Sequence, residues 1–145
     1  MKTNKTFFTE GAISPEFIAN SIASHSAKKN LGAHSIFLGQ VRADEIDGKK
    51  ITGIVYSRYE EMADTIILGI REATLNSVDI NCLHVVHSSG LVKTGEICLF
   101  VFVSSKHRKN AVDACELVVE RIKKEVPVFG KEIFEDETHQ WKVNN

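Results

Sequence analysis

Proline is scarce in this chain, with only Pro15 and Pro127 in 145 residues, and no Pro-, Gly- or Ser-rich tract interrupts it, which excludes a linker-rich or fibrous protein. Long apolar runs are also missing. The longest, Ile97-Cys98-Leu99-Phe100-Val101-Phe102-Val103, is seven residues, far below the roughly 18 that a spanning helix needs. The polar opening Met1-Lys2-Thr3-Asn4-Lys5 leads into no signal-type apolar block, so a cytoplasmic protein is expected. Cysteine is limited to Cys82, Cys98 and Cys115, an odd number without a C-x-x-C pair. This argues against a disulfide frame or a zinc site and predicts buried, inert thiols. No sign of charge dominates, since 18 basic residues face 19 acidic ones, and a nucleic-acid module usually carries a basic excess. Gly-rich nucleotide loops, a nucleophile elbow and an H-E-x-x-H motif are absent. Among the six histidines, His84 and His87 are three apart on a predicted strand and so face opposite sides, while His25, His34 and His139 have no partner at ligand spacing. No metal site is expected, and a metal-binding protein is the weakest functional reading.

What is present suits one domain, 1–145, with 43% hydrophobic and 26% charged residues. By surface scaling such a chain buries about two-thirds of its unfolded surface without disulfides. The pattern begins with a short strand over 6–13. Ser14-Pro15 then forms a helix N-cap and first turn, with Phe17, Ile18, Ile22 and Ala23 on one face and an end near Lys29. A strand over 33–41 leads to a charged hairpin turn at Asp47-Gly48 and a returning strand over 51–59. Apolar residues Met62, Ala63, Ile66, Ile67, Ile70, Ala73 and Thr74 recur at helical steps. A strand over 78–87, a loop over 88–95 and the most buried strand, 96–104, follow. The third helix, 107–125, presents Ala111, Cys115, Val118 and Ile122 and is stopped by Pro127. A last strand covers 129–134, before a tail with Trp141. Intermingled elements, a tight hairpin and short connections predict an α+β fold with about three helices and mostly antiparallel pairing.

Basic residues cluster around the third helix: Lys106-His107-Arg108 before it, Lys123-Lys124 at its end and Lys131 beyond Pro127. Lysines at a helix C-terminus complement the macrodipole and have an ordinary structural explanation. Cations at the helix start do not. There they oppose the dipole, and together with the exposed amides they point to a phosphate or carboxylate ligand. Arg42, leaving the strand end Gly39-Gln40-Val41, repeats the pattern in a loop, where arginines are also common.

Five segments then combine: Phe37-Leu38-Gly39-Gln40-Val41-Arg42; Tyr59-Glu60-Glu61-Met62-Ala63; His87 through Gly90 with Gly95-Glu96; Ser104-Ser105-Lys106-His107-Arg108; and Lys123 through Glu132. In order and spacing they resemble the large, catalytic subunit of molybdopterin synthase, the MoaE family, over roughly 33–141. The resemblance implies an α/β-hammerhead subunit that dimerises and binds two copies of a small ubiquitin-like sulfur carrier, giving a heterotetramer. The carrier's C-terminal Gly-Gly thiocarboxylate would donate sulfur to cyclic pyranopterin monophosphate, two transfers creating the dithiolene of molybdopterin, with no metal or organic cofactor. Carried over by position, Gln40, Val41, Arg42, His107, Arg108, Lys123, Gly130, Lys131 and Glu132 would contact substrate. Lys123 and Lys131 would be catalytic.

One position departs from the family. Many members read Pro-Ile-Trp-Lys-Lys-Glu where this chain reads Pro127-Val128-Phe129-Gly130-Lys131-Glu132, so the first lysine of that pair is glycine. Either Lys131 reaches the same space or Lys123 acts more nearly alone. Both reactants are anions, and Arg42, Arg108 and lysine charge would offset their repulsion. A continuous helix also separates His107 from Lys123 by about 24 Å at the standard rise, which predicts a site composed from two subunits. The alternative from another class is a non-catalytic module that docks a ubiquitin-like tail or a phosphate ligand.

Overall fold

A computed structural model describes residues 6–143; the polar opening, 1–5, and residues 144–145 lie outside it. In chain order the elements are β1 (Phe8–Glu10), α1 (Pro15–Ser26), β2 (Ala33–Gln40), β3 (Glu45–Ile46), β4 (Lys49–Arg58), α2 (Glu60–Ser77), β5 (Cys82–Lys93), β6 (Ile97–Ser105), α3 (Arg108–Glu125), β7 (Val128–Phe134) and β8 (His139–Trp141). The strands form one sheet in the order β2-β6-β5-β4-β7-β8, with β3 on β4 and β1 on β5. Every pairing is antiparallel except β1 with β5. This is the expected α+β arrangement with three helices.

Local chemistry explains the element ends. Ser14 accepts a bond from the Phe17 amide at 3.1 Å and Pro15 opens α1. Asp47 and Gly48 both have positive φ, 52° and 79°, the geometry of the tight β3–β4 turn. Val126, held extended by the following proline, caps α3.

Strand β6 divides the core. Leu99, Val101 and Val103 meet Ala63, Ile67 and Ile70 of α2 and Ala111, Ala114, Cys115 and Val118 of α3. The alternate residues Phe100 and Phe102 face Ile13, Ile18 and Ile36 on the α1 side. Both phenylalanines are almost fully buried, so Phe→Ala at either would cost about 3–5 kcal/mol.

Four details differ from the sequence pattern. The first strand is confined to Phe8–Glu10, plus a single bridge from Ile13 to Ile97. The strand expected over 78–87 starts at Cys82 and the loop expected over 88–95 is strand as far as Lys93. There β5 changes partner, pairing with β6 through His87 and with β4 from Gly90 onward. Gly90 makes the bend at φ 80°, and a β-carbon there would stand 2.1 Å from Glu10 Oε1. The apolar face of α1 is only half used, with Phe17 and Ile22 exposed and His25 buried instead. Finally, the tail around Trp141 forms β8.

Candidate active site

Where β5 passes from one half of the sheet to the other, a cavity of about 700 Å³ opens. Its wall includes the end of β2 and the following residues (Gly39 to Arg42), Ile54 and Tyr56 of β4, and His87 of β5. Cys98 of β6, the last turn of α3 with Lys123, and Gly130, Glu132, Gln140 and Lys142 from β7, β8 and beyond complete it. Lys123 is exposed because it stands one residue beyond the buried Ile122 on α3, on the polar side of that stripe. Arg42 pairs with Asp44 at 3.2 Å, a surface contact that leaves the guanidinium available.

His87 forms the inner wall. Its Nδ1 is 2.7 Å from the Ser88 carbonyl, an acceptor only, so Nδ1 carries the proton and Nε2 is the acceptor. Burial, against the opposing bond to Ser88 and reinforced by the nearby Lys123 and Arg58 charges, lowers its pKa from 6.5 to about 4. His87 is therefore a neutral imidazole at physiological pH. Tyr56 packs edge-on to it at 5.2 Å between ring centroids. Burial pushes the Tyr56 phenol up, with Cys98 and then Glu132 adding to the effect, so Tyr56 stays an O–H donor. Glu132 is buried and accepts a bond from Gln140 Nε2 at 3.1 Å. The cationic side chains on the wall are thus Arg42, Lys123 and Lys142, an arrangement suited to holding anions.

Residues 9–125 match the family described as MoaE protein. The chain belongs to the MoaE family. It is 37% identical over 115 residues to the molybdopterin synthase catalytic subunit of Pyrococcus abyssi, covering 79% of this chain and 76% of that protein. Against the same subunit of Thermoplasma volcanium it is 33% identical over 133 residues, 92% and 93% of the two chains. Among solved structures, molybdopterin synthase from Staphylococcus aureus superposes with a TM-score of 0.81 at 29% identity, covering 94% of this chain and 95% of that one. The activity is the family's: sulfur transfer in molybdopterin formation, within molybdenum cofactor biosynthesis.

Of the residues singled out by MoaE resemblance, the cavity gathers Gln40, Val41, Arg42, Lys123, Gly130 and Glu132. His107 and Arg108 lie at the other end of α3, exposed, with His107 at the N-cap and no acidic residue in the first turn. Lys131 does not line the cavity either. On β7, Gly130 opposite Tyr56 and Glu132 opposite Ile54 face inward, and pleating turns the intervening Lys131 to the other side. Of the two alternatives at Gly130, Lys131 in the same space or Lys123 acting more nearly alone, the first has no support from the cavity wall, which Lys131 does not line.

Lys142 stands in that space instead. Its amide donates to the Gly130 carbonyl at 2.8 Å, and a β-carbon added at Gly130 would be 3.6 Å from Lys142 Cβ. Sequence reasoning missed Lys142 together with Tyr56 and His87. The alternation of β4 could have flagged Tyr56 beside Ile54, but β8, which delivers Lys142, is too short to read from three residues.

Cysteine and histidine placement also departs from the sequence reading. Cys98 and Cys115 are buried, whereas Cys82 is only half-buried and accepts from Lys28 Nζ at 3.0 Å. His25, read as partnerless, has its Nε2 3.0 Å from that of His84. No helix among the described residues is long and apolar enough to cross a membrane.

Proposed function

We propose that this cavity is where sulfur passes from the C-terminal Gly-Gly thiocarboxylate of a small ubiquitin-like carrier to cyclic pyranopterin monophosphate. The observation that carries the reading is the convergence of Lys123, Arg42 and Lys142 on one cavity whose inner wall is the uncharged His87 and the phenol of Tyr56. Two anions must approach each other for the reaction, and three cations offset their repulsion. Exposed Leu38, Trp141 and Val143 at the rim are suited to an apolar, extended protein tail.

Lys123 is the principal catalytic group in this reading. The thiocarboxylate sulfur, already an anion, bonds to a carbon of the substrate; the Lys123 ammonium protonates the oxygen released as the ring phosphate opens, and water then cleaves the carrier's acyl–sulfur bond, returning the carrier as a carboxylate and leaving the sulfur on the substrate. Gln40, Val41, Arg42 and Glu132 position the substrate, and Lys142 supplies the cation that Gly130 lacks. His107 and Arg108 come from the second copy in a homodimer, where the α3 N-terminus adds unpaired amides to their charge. The assembly is then a heterotetramer with two carriers. We take 1–145 as one functional domain acting in the cytoplasm, a compartment that suits three free thiols.

The experiment is reconstitution with thiocarboxylated carrier and cyclic pyranopterin monophosphate, read as dithiolene product. Lys123→Ala is expected to bind the carrier normally and to lose roughly 10²–10⁴-fold in turnover. Full turnover in that variant would remove Lys123 from its role. Carrier binding without product from the wild-type chain would favour a docking module.

A further inference from the structure

On the sheet face away from α2 and α3, side chains with metal-binding atoms converge around Phe102. His25 from the last turn of α1 lies against the Phe102 ring at 4.6 Å between centroids, and His84 of β5 is 6.3 Å from the same ring. Cys82 is two residues before His84, so pleating sends both toward α1. His25, Cys82 and His84 each offer one ligand atom, all within 4.8 Å of one another.

The protonation pattern favours a cation. His25 Nδ1 lies 2.7 Å from the Ser21 carbonyl, which only accepts, so Nδ1 carries the proton and Nε2 turns a lone pair toward His84. A backbone carbonyl that sets the tautomer in this way is the usual support of a metal-bound histidine. The two Nε2 atoms are 3.0 Å apart, close to the roughly 3.3 Å that separates two nitrogens on a tetrahedral zinc with Zn–N of about 2.0–2.1 Å. Ser24 Oγ is 3.4 Å from His25 Nδ1 and competes weakly for its proton. Lys28 Nζ, 3.0 Å from Cys82 Sγ, is the competing cation; its long exposed stem lets it swing into water.

We propose that His25, Cys82 and His84 form a zinc-binding clamp, separate from the sulfur-transfer cavity, with a water as fourth ligand on the side of the exposed His84. Two imidazoles and one thiolate are a borderline-soft donor set that selects zinc over magnesium or calcium. Binding releases the Cys82 thiol proton, and His84, whose Nε2–H donates to His25 Nε2 in the metal-free state, moves its ring proton to Nδ1 so that the Nε2 lone pair meets the metal. The clamp pins the end of α1 to β5. Helix α1 gains from such a tie, because Phe17 and Ile22 remain exposed even though Phe17 packs edge-on against Phe100.

Full-length protein stripped with a chelator is titrated with Zn²⁺ by calorimetry and with Co²⁺ by absorption. One metal per chain, a thiolate-to-cobalt charge-transfer band and a melting temperature that rises with zinc are expected. Cys82→Ala and His84→Ala, both outside the core, should each weaken binding at least about tenfold, within the range that metal-site changes produce. Lys28→Gln should tighten it. Absence of stoichiometric binding, a cobalt spectrum without the charge-transfer band, or unchanged affinity in Cys82→Ala and His84→Ala would overturn the clamp.

Discussion

Gly130 and Lys142 lie side by side on the cavity wall, and the role proposed for Lys142 rests on that closeness. A lysine at 130 would have to displace Ile54 Cγ2, 3.0 Å from the added β-carbon, by a few tenths of an ångström, while Lys142 reaches the cavity from just past β8. Lys142→Ala should therefore reduce turnover by roughly tenfold or more, within the range of a lost acid–base or charge contact. Adding Gly130→Lys to that variant should restore much of it. Steady-state kinetics of the single and double variants decide the matter, and a double variant no better than Lys142→Ala would separate the two positions. His87 acts on stability. The unfolded chain protonates this histidine near pH 6.5, the folded chain only near 4. Between those values the unfolded state binds the extra proton, so stability falls as pH drops through the window and levels off below it, by about 3 kcal/mol in all. Urea unfolding at pH 7.5 and 4.5 should show that loss in the wild type and a flatter profile in His87→Gln.

Among the elements, β5 positions the site, since its change of partner sets His87 on the inner wall and opens the cavity. Gly90→Ala would force a β-carbon into a left-handed backbone and against Glu10. It should lower the unfolding free energy by about 1–3 kcal/mol, measured by denaturant unfolding, and cut activity beyond what the lost folded fraction explains. Helix α3 was readable from sequence because the stripe of Ala111, Cys115, Val118 and Ile122, the stop at Pro127 and the terminal lysines are all local signals. Strand β5 was misread past His87, because Ser88, Ser89 and Gly90 look like a loop when their partners, Tyr56 on β4 and the parallel β1, are distant in sequence.

For the whole molecule, the length of α3 keeps Arg108 and Lys123 from sharing a cavity within one chain. Arg108→Ala and Lys123→Ala, each inactive alone, should regain up to about a quarter of wild-type activity when mixed at equal amounts, the share expected if one of the two sites in each heterodimer, and half of all dimers, are intact. No recovery despite subunit exchange, followed by native mass spectrometry, would place the whole site within one chain. The sequence by itself determined the α+β class, the start of α1 and the stop of α3, the buried β6 and the basic residues at both ends of α3, because caps, periodicity and charge act over a few residues. Only the tertiary structure decided that Lys131 turns away, that Lys142 comes beside Gly130 on the cavity wall, and that His25 meets His84 and Cys82. Those contacts depend on strand register and on the bend in β5, which long-range pairing sets and no local pattern encodes.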